Sequence, residues 1–217
     1  MDIVSIDIGV VNFAFTIEEV NYADVETVKA KYLAFKRDKT PLFLPNGIPS
    51  VYMQSLLIDL YKSGRNILCI NRALQEGDKI KAVIALLDDY TQYFLRCKYI
   101  VIEQQVKANN MCCILATAVN TYFKVKYPNT LVVDFQSKHK TIMNGCPKEQ
   151  CKCIQGEVIK FKSLPKIKRK KWAVIQATEV FRARQDPYLD FILNTKAKLD
   201  DIADTVLQLQ AFKLVGI

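Results

Sequence analysis

The run Asp2-Ile-Val-Ser-Ile-Asp-Ile-Gly9 sets the tightest limit on what this chain can fold into. β-Branched residues fill it, a glycine ends it, and Asn12-Phe-Ala-Phe-Thr-Ile17 resumes the pattern at once, which predicts a strand, a tight turn and a second strand. Asp7 sits inside the first apolar strand, where an ionised carboxylate loses its hydration unless another charge compensates it. Any fold built on this opening must provide that compensation.

Glu103 repeats the situation at the end of Lys98-Tyr-Ile-Val-Ile-Glu103. If the two strands are parallel neighbours, both carboxylates reach one edge of the same sheet. Residues 51–63 and 78–94 carry apolar side chains at helical spacing, through Met53, Leu56, Leu57 and Leu60 and through Ile80, Val83, Ile84, Leu87 and Tyr90. Residues 109–122 read as a helix buried against a sheet, 130–135 as a strand, and 172–184 and 199–214 as helices. The alternation predicts an α/β protein with a mixed central sheet flanked by helices. Residues 23–34, with Val25, Thr27, Val28 and Tyr32, favour a third strand on propensity. Prolines and glycines make 36–50 a loop, and 136–165 reads as a long loop with a small β-ribbon around 157–162.

Half of the 217 residues are apolar and 24% are charged, enough for one folded domain over 1–217. Lys and Arg number 31 against 22 Asp and Glu, and the net charge of +9 favours a polyanionic partner, with nucleic acid the first candidate. The seven glycines are too scattered for a dinucleotide fingerprint or a phosphate-binding loop. His139 is the only histidine and no nucleophile elbow is present, which argues against acyl transfer. No apolar run approaches the ~20 residues that span a bilayer, and no secretory leader pattern opens the chain. Seven cysteines, two of them adjacent at Cys112 and Cys113 in an apolar stretch, suggest reduced thiols. The expectation is a soluble protein of a reducing, intracellular compartment, with no membrane partner.

In Lys198-Leu-Asp-Asp-Ile-Ala-Asp-Thr-Val-Leu207, Asp201 and Asp204 are three apart and share a helix face, while Ile202, Val206 and Leu209 form a buried stripe. Taken alone, Asp200 and Asp201 are the ordinary acidic start of a helix. Combined with Asp7 and Glu103, Asp201 and Asp204 complete an oxygen-only set of the kind Mg²⁺ or Mn²⁺ selects. Two such ions ~4 Å apart activate a water and stabilise the departing oxygen of a phosphodiester.

Ser5-Ile-Asp7-Ile-Gly9 with its following strand, Val101-Ile-Glu103-Gln-Gln105 and Asp201-Ile-Ala-Asp204 together resemble the ribonuclease H-like nucleases. The carboxylate pair in the last helix is similar to the RuvC-like branch, and Val-Ile-Glu-Gln-Gln particularly resembles the Holliday junction resolvases of poxviruses and other large DNA viruses. The resemblance implies a Mg²⁺-dependent homodimer, with Mn²⁺ able to substitute, that nicks opposed strands of a four-way DNA junction. Such a symmetric substrate suits a two-fold enzyme. It implies metal ligation by Asp7, Glu103, Asp201 and Asp204 and a catalytic lysine at Lys171, or at its neighbour Lys170, facing the scissile phosphate. For a viral chain it also implies action in the host-cell cytoplasm or at the site of viral DNA replication. The long interval from Asp7 to Glu103 departs from the family pattern, so residues 36–77 and 136–165 read as insertions.

Lys160, Lys162, Lys166, Lys168, Arg169, Lys170 and Lys171 form a basic run with Phe161 among them. Because it abuts the candidate catalytic lysine, the run reads as a strip gripping the DNA backbone, in preference to a solvated loop or a localisation signal. His139, Cys146, Cys151 and Cys153 offer zinc-type donors but lack a paired knuckle spacing, so free thiols are the better reading. Asp134 is an auxiliary acid candidate, and Asp200 an alternative to Asp201. Tyr122, Phe123, Tyr127 and Phe135 are core residues or base-stacking platforms, core being the commoner role at element ends. Two other functions fit the same acids: cutting RNA in RNA/DNA hybrids, or binding branched DNA without turnover.

Overall fold

A computed structural model describes residues 1–74, 77–106, 108–152, 159–194 and 199–216. The chain opens with β1 (Asp2–Ile8) and β2 (Asn12–Val20), followed by α1 (Tyr22–Arg37), α2 (Val51–Lys62), β3 (Gly64–Ala73), α3 (Lys79–Asp89) and the single turn α4 (Thr91–Phe94). Next come β4 (Cys97–Glu103), α5 (Asn110–Lys126), β5 (Leu131–Phe135), α6 (Ser137–Met143), β6 (Lys148–Lys152), β7 (Ile159–Ser163), α7 (Lys166–Arg184), α8 (Tyr188–Asn194) and α9 (Asp200–Val215). The five-stranded sheet runs β3-β2-β1-β4-β5, antiparallel through β3, β2 and β1 and parallel from β1 to β4 to β5; β6 and β7 form a separate antiparallel ribbon. The mixed sheet flanked by helices is the predicted α/β architecture.

Sequence and structure part in three places. Residues 23–34 are not a strand but lie in α1. The Asn21 side chain caps it by accepting from the Ala23 amide, and Val25 and Val28, one turn apart, are buried. Packing of that face overrides the modest strand preference of the β-branched residues. The stretch 36–77 holds α2 and β3, and β3 pairs along its length with β2 as an edge strand of the central sheet. The stretch 136–165 is not loop throughout: it begins with α6 and includes both strands of the ribbon.

α9 is the centre of the molecule. Residues 205–214 are all buried, so it is a helix enclosed on every side rather than an amphipathic one with a single stripe. It lies on β1 and β2 and is covered by α6, α7 and α1. Its polar side chains are each partnered. The Thr205 and Thr16 hydroxyls meet at 2.7 Å, and Gln210 Nε2 donates to Glu18 Oε2 at 2.8 Å. Lys213 Nζ donates to Glu18 Oε1 at 2.7 Å, to Leu60 O at 3.0 Å and to Ser63 Oγ at 3.1 Å.

Arg184 Nη2 completes this cluster with a 2.9 Å bond to Glu18 Oε1. Burial alone would raise the Glu18 pKa, but the charges of Arg184 and Lys213 outweigh it and hold the carboxyl below its usual range. Burial pushes the Lys213 ammonium down to about 8. Gly64 makes room for the cluster, since a Cβ there would stand 2.2 Å from Glu18 Oε1. Among the described residues, no helix is long and apolar enough to cross a membrane.

Removing one member of a buried ion cluster strands the others, at a cost of about 3–5 kcal/mol. Glu18→Gln should therefore lower the thermal midpoint by ~10 °C, using ~2–4 °C per kcal/mol for a domain of this size. Thermal unfolding followed by circular dichroism checks this; a midpoint within a degree or two of wild type would show that the cluster does not hold α9.

Candidate active site

Side-chain alternation places the first two acids. Val4, Ile6 and Ile8 of β1 share a core with Val83 and Leu87 of α3 and Leu115 and Val119 of α5. Ile3 packs on the opposite side with Leu209 and Phe212 of α9. With a period of two, Asp7 falls on the α9 face with Ile3. In β4, Ile100 and Ile102 face α5 while Val101 faces α9, so Glu103 also falls under α9. The parallel register Ser5↔Val101 and Ile6↔Ile102 makes Asp7 and Glu103 the next step along the two strands.

Helix α9 brings the other two. Gln208 Nε2 donates to Ile6 O at 3.3 Å and Val101 O at 3.1 Å, which pins α9 across the seam between β1 and β4. Asp204 is one turn before Gln208 and Asp201 nearly one turn before that, on the same face. Asp201 Oδ2 accepts from Asn12 Nδ2 at 2.9 Å. Asn12 begins β2 directly after the hairpin turn, where the Gly9 amide donates to Asn12 O at 2.9 Å and a Cβ at residue 9 would lie 2.8 Å from that oxygen.

A fifth charged side chain occupies the middle of this group. Lys140, on α6 and 7% exposed, places Nζ 3.1 Å from Asp204 Oδ1 and 3.4 Å from Glu103 Oε2. Asn144, fully buried, fixes α6 to α9 by donating from Nδ2 to Lys140 O at 2.7 Å and Leu207 O at 2.8 Å. Burial is the main cause that lifts the Asp7 carboxyl well above its normal range; Glu103, Asp204 and Asp201 add to it and Lys140 opposes it. Asp204 is raised chiefly by burial, against the pull of Lys140. Burial disfavours the Lys140 ammonium, but Asp204, Glu103 and Asp7 more than reverse that and raise its pKa.

Of the four acids, Glu103 and Asp204 line a cleft of about 330 Å³, together with Lys138, Lys140, Lys166, Arg169 and Lys170. Lys170 is paired with Asp200, which lifts its pKa, first through that hydrogen bond. Lys171, next along the helix, is exposed and borders a shallow apolar surface with Ile167, Val174 and Ile175 rather than the cleft. Of the remaining basic run, Lys168 pairs with Glu149 of the ribbon. Lys162 and Lys160 lie on β7 in register with Glu149 and Cys151.

Other candidates fall elsewhere. Asp134 pairs in register with Ile102, is exposed, and falls on the α5 face, away from the acids. Tyr122, Phe123 and Tyr127 form a ring cluster around Phe94, and Phe135 packs on Phe212, so these aromatics build the core and not a stacking platform. The His139 ring stands 5.6 Å from that of Phe135, and Cys146 is buried with its thiol pushed up to about 11. Cys153 and the Cys151 side chain lie outside the described residues.

Among the described residues, no group of three or more His, Cys, Asp or Glu side chains is gathered to hold a metal ion as it stands. The set at the cleft floor nonetheless suits a hard divalent cation in kind. It is made of carboxylates alone, and a divalent cation would favour the ionised forms of Asp7 and Asp204, which burial, with Glu103 adding to it, raises above the usual range. Sequence reasoning missed Lys140, Asn144, Gln208 and Asn12. Only Asn12 carried a local signal, its position after a glycine turn.

Strand order, the parallel and antiparallel pairings and the flanking helices define a ribonuclease H-like fold. The chain matches the crystal structure of the fowlpox virus Holliday junction resolvase with a TM-score of 0.52 and 16% identity, over 98% of this chain and 97% of the other. Thermus thermophilus RuvC in complex with a Holliday junction substrate matches with a TM-score of 0.51 and 8% identity, over 100% and 97%. In sequence, uncharacterized protein 97L of Invertebrate iridescent virus 3 is 26% identical over 97% of this chain and 98% of its own. Uncharacterized protein 170L of Invertebrate iridescent virus 6 is 27% identical over 97% and 88%. No protein-family model matches the chain.

Because the folded state raises the Asp7 pKa above its unfolded value, ionising Asp7 weakens the fold as pH rises from the unfolded toward the folded pKa. In chelator, Asp7→Asn should raise the thermal midpoint by a few degrees at neutral pH, and the gain should vanish below about pH 3, where the carboxyl is protonated in both states. Melts across that range decide it, a gain independent of pH being the contrary result. Gln208→Leu, which frees two strand carbonyls, should cost about 1–3 kcal/mol; denaturant unfolding with no shift in midpoint would remove Gln208 as the pin.

Proposed function

We propose that this protein is a metal-dependent, structure-selective DNA endonuclease that resolves four-way junctions by paired symmetric nicks in recombination or replication intermediates. The observation that carries the reading is one cleft with a carboxylate floor and a basic rim, set in a ribonuclease H-like fold. A phosphodiester needs both features: cation density at the scissile group and positive charge along the flanking backbone. The solved structures with this arrangement of elements include a fowlpox virus resolvase in complex with substrate Holliday junction DNA, matched at a TM-score of 0.50.

Asp7, Glu103, Asp201 and Asp204 would hold Mg²⁺, or Mn²⁺ in its place. Two ions per site would supply Lewis-acid activation of water and neutralise charge at the phosphate. The chain's own groups then divide the remaining work. Asn12 orients the Asp201 carboxylate, and Gln208 fixes the helix that carries Asp201 and Asp204. Lys166 and Arg169 at the rim take the DNA backbone, with Lys160, Lys162 and Lys168 continuing the strip along the ribbon and α7. Of the two adjacent lysines, Lys170 is the better placed to face the scissile phosphate, since it lines the cleft and Lys171 does not. A homodimer would present two such clefts to opposed strands of one junction.

Wild type should cut a labelled synthetic four-way junction symmetrically with Mg²⁺ or Mn²⁺ and leave linear duplex intact. Asp7→Asn and Glu103→Gln should lower cleavage at least ~100-fold while junction binding persists. Lys170→Ala should slow cleavage more than Lys171→Ala does. A gel assay with chelator controls reads all of these. Cutting confined to RNA/DNA hybrids would move the activity to another substrate, and junction binding with no cleavage under either metal would leave a non-catalytic binder. Removing Arg169 should also reduce the salt dependence of junction binding by ~1 in log–log slope.

A further inference from the structure

Among the described residues, Lys140 is the one cation enclosed between Glu103 and Asp204. Its ammonium touches acids from two different elements, Glu103 at the end of β4 and Asp204 on α9, and it offsets part of the charge on a third, Asp7 of β1. Its side chain is 9% exposed, yet Lys140 lines the open cleft beside Ser137 and Thr141. The lysine therefore occupies the space between the carboxylates that a divalent cation would require, since Mg²⁺ binds oxygen at ~2.0–2.1 Å and leaves no room for an ammonium on the same oxygens. A lysine side chain can retract, because its charge rides on a flexible four-carbon stem. The helix it stands on is tied separately through Asn144, so the stem can move while α6 stays in place.

We propose that Lys140 is a built-in counter-ion that occupies the cation position of the metal-free protein and is exchanged for the divalent ion on loading. The inference rests on the reading of the cleft as a metal-dependent nuclease site. Two consequences separate it from an ordinary buried salt bridge. Metal affinity is limited by the ammonium that must leave, and removal of the ammonium destabilises the metal-free protein while tightening metal binding. A lysine with a purely structural role would stay in place when metal binds.

The test uses the full chain and Mn²⁺ alone as the probe. Calorimetry should show Lys140→Met binding Mn²⁺ ~10-fold more tightly than wild type, because the competing state has been removed. In chelator the same variant should melt below wild type, and saturating Mn²⁺ should close the gap. Should the variant fail to fold, acetylation of wild-type amines read by mass spectrometry serves instead: Lys140 should be protected in chelator and modified once Mn²⁺ is bound. Equal affinities, or protection unchanged while calorimetry shows Mn²⁺ bound, would overturn the counter-ion and leave the nuclease reading intact. Absence of Mn²⁺ binding in both proteins would overturn both. Exchange observed without junction cleavage would keep the counter-ion and sink the nuclease.

Discussion

Like charges brought together under a buried helix are the constraint around which this molecule is arranged. Asp7 and Glu103 reach the same face of the sheet because parallel strands with a two-residue period leave them no other place. α9 must then lie over them while adding two acids of its own. Lys140 between Asp204 and Glu103, and Asn12 at Asp201, offset part of the repulsion in that contact, and further attraction comes from elsewhere along the helix. Gln208 grips two strand carbonyls, Thr205 meets Thr16, and Lys213 enters the ion cluster at Glu18. The acidic end of α9 is held down by its polar middle and its basic end.

The two charge clusters on α9 are built from the same residue types and settle differently. Around Glu18, two cations more than compensate one buried carboxylate, whose pKa falls. Around Asp7, burial outweighs the pull of Lys140 and the neighbouring carboxylates add to it, so the pKa values of Asp7 and Asp204 rise. The first arrangement is closed off from solvent, whereas the second borders a cleft. Lys166, Arg169 and Lys170 stand at the rim of that cleft beside Glu103 and Asp204, and Lys170 draws the Asp204 pKa down in part.

β1 and β4 were readable because their signal is local, β-branched residues ended by Gly9 and an apolar run ended by Glu103, whereas β3 was not among the expected strands. The acids stood out because each interrupts an apolar pattern. α1 was misread since Val25 and Val28 carry strand preference one by one, and only their burial one turn apart, against neighbours distant in sequence, makes them helical. Lys140 and Asn144 were invisible for a related reason. In a polar stretch with a glycine, a proline and cysteines, no periodicity separates a buried lysine from a solvated one, and its burial is decided by Asp204, 64 residues away. That Lys170 lines the cleft and Lys171 does not is a matter of helix phase, which the basic run alone does not reveal.

The floor of the cleft draws one residue from each of four well-separated parts of the chain: Asp7, Glu103, Lys140 and Asp204. Synthesis proceeds from the N-terminus, so the two acids of α9 emerge after every other member of the group. Until α9 has left the ribosome and threaded its buried side chains into the space between sheet and outer helices, the nascent chain has neither a completed cleft nor an enclosed core. Assembly of the acidic group and closure of the core under α9 are thereby one and the same packing event.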